Sequence, residues 1–107
     1  MEGERQRVDK WLFFARIVKS RSLAAKLVEL GRVRINGRKA ERPSDMLRAG
    51  DGLTLNLDRR VAVLRVLGPG TRRGPAPEAR LLYEDLSQPP FRPDEELPDA
   101  VPPLRDA

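Results

Sequence analysis

The side chains with the clearest chemical potential in this sequence are its arginines and lysines. Residues 5–48 carry 13 basic side chains and only four acidic ones. An arginine guanidinium is a planar fork of donors that fits phosphate oxygens and stacks on bases, so this density of arginine favours a polyanion, RNA first and DNA second. The candidate RNA-binding residues lie on two predicted helices, their turn, a predicted hairpin and a later basic loop: Arg7, Lys10, Arg16, Lys19, Arg21, Arg32, Arg34, Arg38, Arg72 and Arg73.

The charge is unevenly distributed along the 107 residues. The whole chain has 21 basic and 16 acidic side chains, a net charge of +5. Residues 1–80 hold 19 basic and 9 acidic side chains, a net of +10, whereas residues 81–107 hold 2 and 7, a net of −5. A basic body followed by an acidic tail indicates a polyanionic partner.

Residue types that carry out catalysis are scarce. The sequence has no Cys and no His, which excludes thiolate and imidazole metal sites, cysteine nucleophiles and histidine general bases. The acids before residue 80 are scattered, and Gly68-Pro69-Gly70 lacks the features of a phosphate-binding loop. We therefore predict no catalytic residue, no metal site and no cofactor, and we do not expect an enzyme.

The apolar runs are short. The longest uninterrupted one is five residues, Trp11 to Ala15, whereas a transmembrane helix needs about 20 and a signal peptide about 7–15. We expect a cytoplasmic protein with no membrane partner. We also expect a monomer, because no long apolar edge is left over by the predicted elements.

A first helix is predicted over residues 8–18, which have apolar side chains at helical spacing. Asp9 lies in its first turn, as a charge suited to the helix dipole or as the partner of a nearby arginine. Trp11 is expected in the core, because an aromatic residue at this spacing is more often buried than free to stack on a base.

A second helix begins after a basic turn, Lys19-Ser20-Arg21. Ser20 or Ser22 can cap it, and Gly31 ends it in the left-handed conformation. The two helices form a helix–turn–helix pair whose connecting turn is basic.

A β-hairpin follows. Residues 32–35 alternate between basic and apolar side chains, and Asn36-Gly37 is the strongest short hairpin signal. The alternation places Val33 and Ile35 on one face and leaves three arginines toward solvent: Arg32, Arg34 and Arg38. We expect these arginines to line a groove between the helix pair and the hairpin. The basic residues before and on the helices and in their turn would line it too: Arg5, Arg7, Lys10, Arg16, Lys19 and Arg21.

The remaining pattern completes an α+β fold, in which two N-terminal helices pack on a small antiparallel sheet. Strands are predicted over residues 53–57 and 61–67, and a short C-terminal helix over 77–86, with Tyr83 in its packing stripe. The predicted domain therefore covers residues 5–87. Residues 88–107, rich in proline and acids, are predicted as a disordered tail.

Three separated motifs resemble the S4 RNA-binding domain, which also occurs in tyrosyl-tRNA synthetases and pseudouridine synthases. They are Arg7-Val8-Asp9-Lys10-Trp11-Leu12, Lys19-Ser20-Arg21-Ser22-x-Ala24 and Gly31-x-Val33-x-x-Asn36-Gly37. The resemblance covers about residues 5–60. The first motif has Val8 where the domain usually has Leu, a conservative change.

A narrower resemblance extends to the fifteen-kilodalton heat-shock family of ribosome-associated S4 proteins. It rests on Asp-Lys-Trp-Leu in the first helix, Arg72-Arg73, and the segment from Glu78 to Glu84. Gly74 is an extra residue relative to that family, and the tail is acidic where some relatives end in basic residues.

The resemblance implies binding to ribosomal RNA on a free large ribosomal subunit that still carries nascent chain and tRNA, in recycling or rescue of stalled complexes. Phosphate contacts would come from Arg7, Lys19, Arg21, Arg34 and Arg38. The alternative is a structural ribosomal or ribosome-assembly component. A third, distant reading is an RNA-modifying enzyme that lacks its catalytic half.

Overall fold

The computed structural model describes residues 4–57 and 60–92 and confirms the α+β class. In those ranges the elements are, in chain order, β1 (Gln6–Arg7), α1 (Val8–Phe14), α2 (Arg21–Glu29), β2 (Val33–Ile35), β3 (Arg38–Lys39), β4 (Met46–Leu47), β5 (Gly52–Asn56), β6 (Val61–Val66), α3 (Ala76–Ala79), a 3-10 turn (Arg80–Leu82) and β7 (Tyr83–Asp85). No helix in these ranges has the length and apolarity needed to span a membrane.

Five strands form one antiparallel sheet in the order β3-β2-β5-β6-β7, and β1 pairs separately with β4. Side chains alternate between the two faces of each strand, so one face collects the buried residues. Helices α1 and α2 pack against each other and contribute to the same core as this inner face. The opposite face carries Arg34, Thr54 and Val63 side by side, and we call it the outer face.

Trp11 is buried in the core, as predicted. Its side chain has no exposed surface, and its indole N–H donates to the carbonyl oxygen of Gly68 at 2.9 Å. Its ring meets that of Tyr83 edge to face, with centroids 6.2 Å apart. The indole therefore links α1 to the end of β6 and to β7, and no face of it is left for a base.

The predicted end of the first helix is wrong. The helix stops at Phe14, and Arg16 adopts a left-handed conformation with φ of 59°. This turn redirects the chain so that Ile17 and Val18 both enter the core with no exposed surface. A continued helix would point these adjacent side chains in different directions, so burial of both favours the break.

The second helix has the predicted ends. The Ser20 hydroxyl accepts the backbone N–H of Leu23 at 3.1 Å, so Ser20, and not Ser22, is the cap. Gly31 follows the helix with φ of +77°, a conformation that L side chains rarely adopt. Helix α2 therefore ends before the hairpin begins.

The predicted helix over 77–86 is wrong in its second half. The helical part ends at Leu82, and Tyr83 begins strand β7, paired with Val66 of β6. Pairing at this edge satisfies the open hydrogen-bonding groups of β6 and buries Tyr83 to 8% exposure. Leu86, which the helical stripe would have buried, is 42% exposed.

The segment predicted as a disordered tail lies partly outside the described residues, which end at 92. Within the described part, Phe91 is 4% exposed and belongs to the core. Its backbone N–H donates to the carboxylate of Asp85 at 2.6 Å. Arg60 also donates to the backbone carbonyls of Pro89 and Pro90. The packed body therefore extends to this phenylalanine.

Candidate nucleic-acid interface

A buried carboxylate joins two arginines where the helix pair begins. Asp9 is 4% exposed. It accepts two hydrogen bonds from Arg7, at 3.1 and 2.9 Å, and one from Arg21 at 3.5 Å. It also accepts the backbone N–H of Lys10 at 2.7 Å. The prediction that Asp9 partners a nearby arginine is confirmed, and the structure adds a second one.

These two arginines, Arg7 and Arg21, form what we call the arginine pair. Arg7 comes from β1 and Arg21 is the first residue of α2, so two separate elements place them at one carboxylate. Their side chains remain 44% and 45% exposed, so each keeps N–H donors directed to solvent. One carboxylate balances one of two positive charges. The remaining charge and donors suit a phosphate oxygen, and the carboxylate holds the guanidiniums in place.

Two lysines flank the arginine pair in sequence. Lys19 is exposed in the turn before Ser20, and Lys10 is partly exposed on α1. The ammonium of Lys10 lies 6.0 Å from the ring centroid of Phe14, at the outer limit of a cation–π contact. Both lysines are accessible to an RNA backbone, and their contact with RNA stays a prediction.

Arg73 links the loop after β6 to the end of α1 through hydrogen bonds. Its guanidinium donates to the carbonyls of Phe13 and Val18, both at 3.2 Å, and lies 4.9 Å from the Phe13 ring centroid. Arg16 donates to the Gly74 carbonyl from the other side at 3.2 Å. Burial, and secondarily the positive charge of Arg16, lowers the pKa of Arg73. Both arginines therefore give donors to the protein's own backbone.

Arg72 differs from its neighbour Arg73. Its side chain is 67% exposed and forms a surface ion pair with Glu78, at 2.9 and 3.3 Å. Exposed pairs of this kind contribute about 0–1 kcal/mol and exchange readily with solvent. Arg72 is therefore the more accessible of the two residues in the predicted basic loop.

The hairpin has the predicted turn, but it separates two of the predicted arginines. Asn36 and Gly37 both have positive φ and connect β2 to β3. Arg38 pairs in register with Ile35 and points to the side of the helices, whereas Arg34 pairs with Lys39 on the outer face. The expected groove between helices and hairpin therefore includes Arg38 and not Arg34.

The predicted solvent exposure of Arg32 is wrong. Its side chain is buried, with the residue 4% exposed, and donates to the Asn56 carbonyl at 3.1 Å. Its Nε and second Nη atoms have no hydrogen-bond partner among the residues that the structure describes. Its backbone N–H bonds to Leu27, so it belongs to the end of the helical turn and the strand alternation starts one residue later. A buried guanidinium cannot reach RNA from this position.

A cleft of about 580 Å³ lies between the hairpin and the chain that leads into β4. Ile35, Arg38, Lys39 and Met46 are among its lining residues. A smaller recess of about 310 Å³ adjoins it and is lined in part by Arg5 and Arg48. Sequence reasoning placed Arg5 in the groove but not among the candidate RNA-binding residues, and it missed Lys39 and Arg48. The usable signal is Met46, an apolar residue three positions after Pro43.

Comparison with known proteins places this geometry in a family. The S4 domain family model matches residues 6–53, which include the arginine pair and the hairpin. The Bacillus subtilis RQC P-site tRNA stabilizing factor is 37% identical over 60 residues, covering 56% of this chain and 69% of that protein. The structure of Vibrio cholerae Heat Shock Protein 15, described as trimeric, superimposes with a TM-score of 0.73 at 38% identity, covering 79% of this chain and 85% of that one.

The chain belongs to the S4 domain family. Within it the chain resembles the heat shock protein 15 group, as the sequence motifs predicted. Escherichia coli Heat shock protein 15 is 38% identical over 84 residues, 77% of this chain and 61% of that protein. The chain thus spans about three fifths of the length of the curated heat-shock relatives it matches.

The S4 match separates the candidate residues into two groups. Eight candidates, from Arg7 to Arg38, lie within residues 6–53, whereas Arg72 and Arg73 lie outside them. In the described ranges no cluster of three or more carboxylates is placed to hold a metal ion.

Proposed function

We propose that this chain is a cytoplasmic, non-enzymatic RNA-binding protein that acts on the large ribosomal subunit, on complexes stalled with nascent chain and tRNA. The arginine pair carries the proposal: two half-exposed guanidiniums held at one buried carboxylate within an S4 domain. The ribosomal setting is supported by the Bacillus relative, whose name refers to P-site tRNA.

In this mechanism phosphate contacts supply affinity and RNA shape supplies selectivity. Arg7, Lys19 and Arg21 would contact one stretch of RNA backbone at the helix pair. Arg38 lies on the same side, while Arg34 on the outer face would reach a different segment of folded RNA. Five such contacts predict a log–log salt slope of about −3.5 on single strands, from about −0.7 per contact. Binding titrations at several salt concentrations measure it.

The test of RNA binding is Arg21→Glu compared with Arg65→Glu. Both residues are about half exposed and form one long ion pair, with Asp9 at 3.5 Å and with Glu84 at 3.9 Å. The charge change is the same, but Arg65 is not among the proposed contacts and lies on β6, which β5 separates from Arg34 on β2. We expect Arg21→Glu to weaken binding to ribosomal RNA by about tenfold or more and Arg65→Glu to change it by less than about twofold. Equal effects from both would overturn the proposed surface.

The ribosomal setting is tested separately by gradient sedimentation of tagged protein in a lysate. Enrichment on large subunits blocked with nascent chain supports the rescue role. Uniform, salt-resistant presence on mature ribosomes would instead support the structural or assembly component. Absence from every ribosomal fraction would leave RNA binding without a ribosomal target.

The absence of catalysis is part of the proposal. An uncharacterized RNA pseudouridine synthase from Aquifex aeolicus is 42% identical over 57 residues, which are only 18% of that protein. The shared part fits an RNA-binding module attached to a separate catalytic part. Release of isotope from labelled RNA measures modification directly, and turnover by this chain would overturn the non-enzymatic assignment.

A further inference from the structure

The cleft beside the hairpin has the size of a ligand site. Its volume of about 580 Å³ falls within the range of about 300–1,000 Å³ that is usual for small-ligand pockets. The adjoining recess of about 310 Å³ shares Ile35, Asn36 and Met46 with it. The two form one continuous depression, which we call the hairpin cleft.

The floor of the hairpin cleft is apolar and accessible. Met46 is 47% exposed and Ile35 is partly buried, and the buried residues Ala40 and Leu47 also line the cleft. Met46 is the register partner of Arg7 in the β1–β4 pair. Side chains of such partners lie side by side, about 5 Å apart. The apolar floor is therefore adjacent to the arginine pair.

Three cations that have no partner among the described residues line the hairpin cleft. They come from the chain before β1, from β3 and from the turn after β4: Arg5, Arg38 and Arg48. None of their side chains forms a hydrogen bond or ion pair with any other described residue. They contrast with Arg16 and Arg73, whose donors are bound by backbone carbonyls. Lys39 also borders the cleft, but its position beside Arg34 places its side chain on the outer face.

Three acids also line the hairpin cleft, Glu41, Asp45 and Asp51, so its formal charge is +1. Two of them are engaged in holding the walls. One oxygen of Asp45 accepts the backbone N–H groups of Glu41 and Arg42, at 2.8 and 3.2 Å. Asp51 accepts the Arg48 N–H at 2.9 Å and the Asn36 amide at 3.1 Å. The carboxylates fix the loops, and the cations remain available to an external anion.

We infer that the hairpin cleft binds one unpaired nucleotide of the RNA, its base on Ile35 and Met46 and its phosphates on the surrounding cations. A nucleotide has both the apolar face and the anionic groups that this lining matches. Bases in a duplex are stacked and hide their faces, so only a bulged, looped or terminal nucleotide can enter. The inference rests on the proposed RNA-binding function and adds to it the class of RNA element.

Two hairpin RNAs of the same stem test it, one fully paired and one with a single bulged nucleotide, the bulge made in turn as A, C, G and U. We expect at least one bulged form to bind about fivefold to tenfold more tightly than the paired form, because one face of the base leaves water against aliphatic side chains. Bulges carrying 4-thiouridine should photocrosslink to peptides that contain Ile35 or Met46.

Met46→Ser should remove the preference for the bulge, because it takes away the apolar side chain on which the base would lie. Its binding to the paired hairpin should stay within about twofold, since no charge is added beside Arg7 and no phosphate-binding cation is changed. The matched control is Leu81→Ser, another exposed apolar residue at 73% exposure, outside the cleft. It should keep the preference. Both sites are exposed, and a thermal melt verifies that both variants fold.

The outcomes separate this inference from the proposed function. Salt-dependent binding to both RNAs with no preference for any bulge, or crosslinks that map away from the cleft, overturns the nucleotide site and leaves RNA binding standing. Loss of the preference in Leu81→Ser as well as in Met46→Ser also overturns it. Absence of binding to either hairpin and to ribosomal RNA overturns the proposed function itself.

Discussion

Asp9→Asn is the substitution that best tests whether the buried carboxylate organises the RNA-binding surface. Asparagine preserves the size of the side chain and an acceptor for the Lys10 N–H. It replaces the oxygen that accepts both arginine Nη2 groups with an amide or a neutral acceptor. A hydrogen bond to a charged group contributes about 1.5–3 kcal/mol, and the half exposure of both arginines reduces this. We expect a loss of about 1–2 kcal/mol of stability, or about 4–16 °C in Tm for a domain of this size.

The direction in which Asp9→Asn changes RNA affinity distinguishes long-range attraction from positioning of the arginine pair. The substitution raises the net charge from +5 to +6, so long-range attraction alone predicts tighter binding. If Asp9 positions the arginine pair, both freed side chains must be ordered again on binding, at about 0.5–1.5 kcal/mol each. The sum of about 1–3 kcal/mol corresponds to about fivefold to 150-fold weaker binding.

The assay is equilibrium binding to ribosomal RNA at a temperature well below the Tm of the variant. Glu84→Gln is the control, because it raises the net charge equally at an exposed ion pair on β7, the sheet edge opposite to the hairpin. We expect Glu84→Gln to bind as tightly as the unaltered protein or slightly more tightly. If the folded Asp9→Asn variant also binds RNA more tightly, Asp9 does not position the arginine pair. Its negative charge would then only weaken the attraction of the protein for RNA.

Three further predictions concern stability and assembly. Arg73→Ala should lower the free energy of unfolding by about 1–3 kcal/mol, because two hydrogen bonds to the backbone and a ring contact are lost. Arg72→Ala should lower it by less than about 1 kcal/mol. Equal melting temperatures of the two variants would contradict this. Gly31→Ala should lower the free energy of unfolding by about 1–2 kcal/mol, because residue 31 has a left-handed conformation. Gly68→Ala should leave it almost unchanged, because the added Cβ meets open space. Chemical unfolding measures both. Sedimentation equilibrium should give a monomer mass, and a trimer mass would instead place this chain with the Vibrio protein.

The features predicted well from sequence are those that local chemistry determines. Ser20 caps α2 because its hydroxyl reaches an N–H three residues on, and Gly31 ends the helix because it tolerates positive φ. Asn36 and Gly37 form the hairpin for the same conformational reason. Each signal is confined to a few neighbouring residues, so the rest of the fold does not override it.

The features predicted wrongly depend on contacts between distant residues. Tyr83 fits the stripe of a helix, but the open edge of β6 and the ring of Trp11 lie where a strand brings it into contact with both. Ile17 and Val18 fit a longer helix, but both can be buried only if the chain turns at Arg16. Periodicity cannot report the presence of an unpaired strand edge or a vacant part of the core.

The candidate site shows the same division. The motif positions correctly place Arg7 directly before the first helix, whereas Arg21, predicted in the turn, is the first residue of α2. Nothing local shows that Asp9 binds both. Alternation correctly separates Val33 from Arg34, yet it fails at Arg32, where the backbone still completes the helix end. Arg34 and Arg38 are close in sequence and face opposite sides of the hairpin, because a two-residue turn places cross-strand partners and not sequence neighbours on one face.

Net charge is therefore an incomplete measure of the surface that RNA can use. Arg32 and Arg73 raise the charge of the body as much as Arg7 does, but their donors are buried or bound by backbone carbonyls. Arg5 and Arg48 lie in loops that carry no motif, and their donors have no partner among the described residues. A phosphate gains a hydrogen bond from donors that have no protein partner. A donor already bound by a backbone carbonyl would first have to leave that acceptor unpaired. Accessible cations line the same cleft as Met46. For this reason, more than for the net charge of +5, we propose the hairpin cleft as the place to look for RNA contact.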